Sequence, residues 1–118
     1  MNREEMISYI NENYNSNTDF PWAKHPSYQV FRHIKNKKWF AVIMTIPKNK
    51  LGLESDENID IVNLKCDTAL IDGLIKDEGI FPAYHMNKKH WVSVALDGSC
   101  LSDKIKMLLD ISFNLTKK

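Results

Sequence analysis

The sequence has little glycine, little cysteine and no long apolar run. Its four glycines are scattered at Gly52, Gly73, Gly79 and Gly98, which excludes the glycine-rich loop whose backbone N–H groups cradle a phosphate. Its two cysteines, Cys66 and Cys100, form no CxxC pair. Thiols used so sparingly are expected to be buried and idle, not a disulfide or a redox couple. Zinc needs convergent nitrogen and sulfur ligands, and neither CxxC nor HxxxH spacing is present; His85, His90 and Cys66 are the residues a metal would have to recruit. No sequence context pairs either cysteine with a histidine base. The expectation is a non-enzymatic protein with no metal and no cofactor. The longest apolar run, Trp39 to Met44, is far too short to span a membrane. The N-terminus lacks the basic start and apolar core of a secretory signal, so the cytoplasm is the expected compartment and a membrane is not an expected partner.

Acidic residues are missing from two long stretches. None lies between Lys24 and Leu53, a segment that holds Lys24, Arg32, Lys35, Lys37, Lys38, Lys48 and Lys50. None lies between Gly79 and Leu96. The carboxylates crowd into Glu54 to Glu78, where only Lys65 and Lys76 oppose them. The formal net charge is +1, too small for a general polyanion binder, so a nucleic-acid interaction must rest on charge distribution. A near-neutral chain segregated in this way can still present one basic side.

What is present is an ordinary globular composition, 118 residues with 43% hydrophobic and 26% charged. That predicts one domain, 1–118, able to bury roughly two-thirds of its unfolded surface. Asn2 to about Asn13 reads as a helix. Asn2 is its cap, Glu5 stands at capping-box spacing, and Met6, Ile7, Ile10 and Tyr14 form the apolar stripe. Asn15 to Ser27, with Pro21 and Pro26, reads as a connector pinned to the core by Phe20 and Trp22. Tyr28 to Ile34 and Trp39 to Ile46 alternate as a β-hairpin around Lys35-Asn36-Lys37-Lys38. In the second strand Phe40, Val42, Met44 and Ile46 share one face. Pro47 to Asn58 is a loop and Ile59 to Cys66 the next strand.

Asp67 is then expected to cap a helix from Thr68 to Glu78 whose buried face is Leu70, Ile71, Leu74 and Ile75, with Gly79 just past its end. Two extended segments follow around Asn87-Lys88-Lys89, with Asn87 expected in the left-handed conformation of a tight turn. Ser102 is expected to cap a last helix to about Leu115. The order is α-β-β-β-α-β-β-α. It predicts a two-layer α+β domain, a largely antiparallel sheet with the helices on one face and the other face and the hairpin tips free. The expected core includes Ile10, Phe31, Phe40, Val42, Leu64, Leu70, Leu74, Leu108 and Leu109. Trp91 is expected mostly buried, with a polar contact at its indole nitrogen.

The run Tyr84-His85-Met86-Asn87-Lys88-Lys89-His90-Trp91, followed by Asp97-Gly98, resembles the MmcQ/YjbR family of small bacterial proteins. Asn63-Leu64-Lys65-Cys66-Asp67, Asn2-Arg3-Glu4-Glu5, and Val30-Phe31 with Lys38-Trp39-Phe40-Ala41 look similar to the same family, so the resemblance runs through nearly the whole chain. Thr45 to Asp60 is longer than the usual connection there, and Phe113 stands where a tyrosine is common. The resemblance implies a CyaY-like two-layer domain with a double-wing arrangement for binding DNA.

Two basic hairpin tips on one sheet have the chemistry to straddle a phosphate backbone. One wing would use Arg32, Lys35, Lys37, Lys38 and Trp39. The other would use Tyr84, His85, Asn87, Lys88, Lys89 and His90, with the aromatic rings adding stacking. The alternative function is a non-catalytic module that binds a protein or peptide partner through apolar anchors such as Trp39 and Trp91. Salt separates the two, because phosphate contacts weaken steeply with ionic strength and an apolar interface does not. A monomer is expected in either case.

Overall fold

The computed structural model describes residues 1–118 and places α1 (Arg3–Asn13), α2 (Thr68–Leu74) and α3 (Ser102–Leu115) against one face of a six-stranded sheet. The strands are β1 (Ser16–Asp19), β2 (Gln29–His33), β3 (Trp39–Pro47), β4 (Asn58–Lys65), β5 (Ile80–Pro82) and β6 (Trp91–Ala95), with a 3-10 turn at Lys48–Leu51. Their spatial order is β1-β2-β3-β4-β6-β5, antiparallel throughout. The α+β class and the expected order of elements are present. One further strand, β1, lies inside the stretch read as a connector. It is a polar edge strand, Ser-Asn-Thr-Asp, without apolar alternation to announce it.

Local chemistry explains the helix boundaries. Asn2 accepts from the Glu5 backbone N–H at 2.9 Å, and the Glu5 carboxylate accepts from the Asn2 N–H at 3.0 Å, a complete capping box. Asp67 accepts from Ala69 N–H at 2.9 Å at the start of α2. That helix is shorter than the sequence suggests and ends at Leu74. With about 100° between successive residues, only Ile71 in α2 points squarely at the sheet, and Leu70 is left 48% exposed on the outside, a correction to the expected core. Leu74 is partly buried against that core. The cap of α3 is Leu101, with no side-chain bond, and not Ser102, which is the first helical residue. Gly79 reverses the chain at φ +82, where an added Cβ would stand 2.8 Å from the Cys100 nitrogen.

The sheet carries apolar side chains on both faces. Beneath the helices, Phe31, Phe40, Ala41, Ile43, Val62, Leu64, Val92 and Val94 pack on Met6, Ile10, Ile71, Ile105, Leu108 and Leu109. On the opposite face, Val30, Val42, Met44, Ile46, Ile59, Ile61 and Ala95 form a second cluster with Tyr28. This face is not free, as the sequence suggested. Trp22 from the connector, Tyr28 just before β2, Leu51 from the 3-10 turn, and Tyr84 lie over it.

A bulge decides which side the β3 aromatics take. Phe31 stands opposite Ala41 while Arg32 stands opposite Trp39, which leaves Phe40 as the extra residue. Phe40 and Ala41 therefore both face the helices, and Trp39 turns to the helix-free face with Val42. The sequence pattern had Phe40 and Val42 on one face. Both are fully buried, on opposite faces.

Candidate nucleic-acid interface

Register brings the two basic hairpins to the same end of the sheet. Trp39 begins β3 at the end where Ala41 pairs with Leu64 near the close of β4. Lys65 then pairs with Trp91, the first residue of β6. The 34–38 tip and the 83–90 loop thus leave one end. Their hairpins are about three strand spacings apart, roughly 14 Å. The C-terminus of α3 reaches the same place, because Asn36 Nδ2 donates to the Thr116 carbonyl at 2.9 Å and Lys38 Nζ donates to the Lys118 carbonyl.

The two Asn-Lys-Lys turns share one device and differ in another. Asn36 Oδ1 accepts from Lys38 N–H, and Asn87 Oδ1 accepts from Lys89 N–H, each at 2.9 Å. The left-handed residue of the first tip is Lys37, at φ 64. In the second loop it is His85, at φ 59, and not Asn87 as the sequence suggested. This loop is no tight hairpin turn, since eight residues separate Pro82 from Trp91. The Asn87 carbonyl accepts from His90 N–H and Trp91 N–H, a helical turn that feeds β6.

Buried polar groups pin this loop across the helix-free face. Asn63 and Ser93 pair across β4 and β6 and are fully buried. Asn63 Nδ2 donates to the Tyr84 carbonyl at 2.9 Å, and Ser93 Oγ accepts from Tyr84 N–H at 2.9 Å. Lys88 Nζ closes the loop on the Ala83 carbonyl at 2.8 Å. Thr68 Oγ1 donates to the Lys89 carbonyl at 2.8 Å and lies 3.2 Å from His90 Nδ1.

Pinned there, the loop closes a cavity of about 420 Å3. Trp22 and His25 come from the connector, Tyr28 from the residue before β2, Trp39 and Met44 from β3, and His85 and Met86 from the loop. Trp22 and Trp39 meet edge to face at 5.4 Å, and His25 stacks flat on Tyr28 at 4.4 Å. Burial, with the Tyr84 phenol nearby, raises the Tyr28 hydroxyl above its ordinary range, so it stays a neutral donor. The sequence named only Trp39 and His85 among these residues. Trp22 was placed as an anchor of the connector, and nothing local marks His25 or Tyr28 as its neighbours.

The expected site residues divide by what holds them. Arg32 is not free: it makes a fork on Asp19, at 2.8 and 3.2 Å, with its guanidinium 5.4 Å from the centre of the Trp39 ring. The Asp19 bond outweighs partial burial and raises the guanidinium's pKa further. Lys38 and Lys88 bind carbonyls. Lys35, Lys37 and Lys89 make no side-chain hydrogen bond or ion pair within the protein. Tyr84 is partly buried beside His85, their rings 4.2 Å apart, and His85, Asn87 and His90 are exposed. Trp91 is half-buried, and its indole nitrogen has no hydrogen-bond partner, because it faces away from the helices beside Lys65.

No three His, Cys, Asp or Glu side chains converge where they could hold a metal ion. Both thiols are buried and unbonded to each other, and burial raises their pKa values. No helix is long and apolar enough to cross a membrane.

Comparison with known proteins covers almost the whole chain. The family model described as YjbR matches residues 12–115. An uncharacterized protein of Bacillus subtilis (strain 168), YyaQ, is 42% identical over 117 residues, which are 99% of each chain. The crystal structure of a Pseudomonas syringae protein is 45% identical and superposes with a TM-score of 0.95, covering 98% of this chain and 99% of that one. The crystal structure of Deinococcus radiodurans protein DR2400, described by the domain DUF419, is 26% identical, with a TM-score of 0.76 over 99% of this chain and 79% of that one.

Proposed function

The chain belongs to the YjbR family, and we propose that it binds duplex DNA through the lysine-rich end of its sheet. The observation that carries this is the gathering of charge. Lys35, Lys37 and Lys38 from one hairpin, Lys88 and Lys89 from the other, Lys65 from β4, and Lys117 and Lys118 beyond α3 all collect at that end. The carboxylates toward that end are Asp67, engaged as the cap of α2, Asp72, Glu12 in the last turn of α1, and Asp110 on α3, which accepts from the Tyr14 hydroxyl. The opposite end carries Glu54, Asp56, Glu57, Asp77, Asp97 and Asp103, against Lys48, Lys50 and Lys104, of which Lys48 pairs with Glu57 and Lys104 with Asp77. A protein of formal charge +1 with its charge separated in this way presents its basic end to a polyanion.

Geometry supports two contact points. The tips, roughly 14 Å apart by strand spacing, are separated by a distance close to the major-groove width of about 12 Å. Lysines that reach phosphate confer affinity and orientation without base specificity. Titration of a labelled duplex at low and high salt tests the proposal. Binding at low salt that weakens steeply as salt rises is expected.

A second function is favoured by one observation, the apolar character of the cavity beside the tips, of whose seven lining residues five are hydrophobic. A protein or peptide partner seated there would bind with little dependence on salt.

A further inference from the structure

We infer that the cavity on the helix-free face, beside the two tips, is a pocket for one unpaired nucleobase, presented by the nucleic acid that the lysines hold. This rests on the proposed nucleic-acid binding and adds a structural preference to it. The cavity, about 420 Å3, lies in the range of small-molecule sites, about 300–1,000 Å3. Its walls are mainly rings, and a base offers a π-face to rings whatever its sequence.

The polar groups on those walls are unused. Tyr28 is only 7% exposed, yet no protein atom bonds its hydroxyl. The indole nitrogens of Trp22 and Trp39 and the imidazoles of His25 and His85 also lack hydrogen-bond partners within the protein. None of these atoms is shut off from solvent, since no buried side-chain nitrogen or oxygen lacks a partner, and His25 and His85 are exposed, so all of them remain reachable by a ligand. Donors and acceptors left open around an apolar space suit a flat heterocycle with both kinds of edge group.

Charge selects among flat ligands. No carboxylate lines the cavity, and the cation against its wall, Arg32 over Trp39, is already forked on Asp19. The lining therefore presents no free charge, which suits a flat uncharged heterocycle. A cationic ligand, which aromatic cages otherwise favour, would meet Arg32 beside the Trp39 ring.

Position selects a base within a strand over a free nucleotide. Trp39 directly follows Lys38, and Met86 precedes Lys88 by two residues, so each tip adjoins a wall of the cavity. A strand spanning both tips would run beside these walls. A paired base is held in the stack, whereas a bulged base pays little to leave it.

The test uses the full chain and three labelled duplexes at low salt: fully paired, bulged by one nucleotide, and bulged by one abasic site. Wild type is expected to bind the bulged base roughly five- to a hundredfold more tightly than the abasic bulge, the worth of one stacked base. In Trp39→Ala that ratio should fall below about twofold. His85→Asn is the second variant, because Asn accepts the left-handed backbone and removes the ring. It should lower the ratio too. Lys89→Ala should weaken all three complexes alike and keep the ratio. Equal affinity of wild type for all three duplexes overturns the base pocket and leaves the lysine-end binding standing. No binding of any duplex overturns both. A fluorescence change with free mononucleotide, without preference for the bulged base, overturns the pocket as a strand-borne base site.

Discussion

Asn63 and Ser93 face each other across β4 and β6, and their side chains together bind both backbone groups of Tyr84. Ser93 Oγ also donates to Asn63 Oδ1, so the pair is satisfied internally. It fastens the 83–90 loop over a sheet face that no helix covers. Ser93→Ala removes a donor and an acceptor at once, leaving the Tyr84 N–H and Asn63 Oδ1 unpaired. The expected cost is about 1–3 kcal/mol, read from the urea midpoint, with faster hydrogen exchange at the Tyr84 amide. An unchanged exchange rate would mean the loop is held by other contacts.

Burial separates two leucines that sequence alone treats alike. Leu108 is 2% exposed beneath the sheet, and Leu70 is 48% exposed on α2. Leu108→Ala is expected to cost about 2–5 kcal/mol, and Leu70→Ala to stay within about 0.5 kcal/mol of wild type. Equilibrium denaturation of both variants checks the contrast. Equal losses would place Leu70 in the core after all.

Acid should loosen the contact between β2 and α3. His33 is 7% exposed, packs on Phe113 at 4.3 Å, and has its Nε2 2.8 Å from Thr116 Oγ1. Burial lowers its pKa, a bond to the Phe113 backbone opposes this, and Lys117 and Lys38 add to the lowering. The folded state therefore resists a proton that the unfolded chain accepts at about pH 6.5. Below that pH the unfolded state binds more protons, so the stability is complete above about pH 6.5 and falls as pH drops from there toward the lower folded value. The urea midpoint of wild type should fall between pH 7.5 and pH 5.5 by more than that of His33→Gln. Identical falls would show that His33 does not carry the effect.

Local signals were readable in the sequence, and those set by distant partners were not. The Asn2–Glu5 box and the Asp67 cap lie within a few residues and were legible, as was the charge segregation that becomes the basic end. β1 was hidden because Ser16-Asn17-Thr18-Asp19 owes its strand to pairing with β2 and not to an apolar pattern. The bulge at Phe40 was hidden because period-two alternation assumes an unbroken ladder. Half of the cavity followed from that miss, since the bulge turns Trp39 toward Trp22. The other half depends on Asn63 and Ser93, whose positions in their strands look unremarkable until the sheet pairs them.

The most direct measurement is the salt dependence of duplex binding by wild type, by Lys35→Ala/Lys37→Ala/Lys89→Ala, and by Lys48→Ala/Lys50→Ala. The first three lysines are unengaged at the basic end, while Lys48 and Lys50 lie in the 3-10 turn at the other end of the sheet. Each lost phosphate contact removes about 0.9 from the slope of log K against log salt. The triple variant should bind more weakly with a slope flatter by up to roughly 2.7, and the double variant should match wild type. No wild-type affinity at low salt, or equal losses in the two variants, would contradict DNA binding by the lysine-rich end.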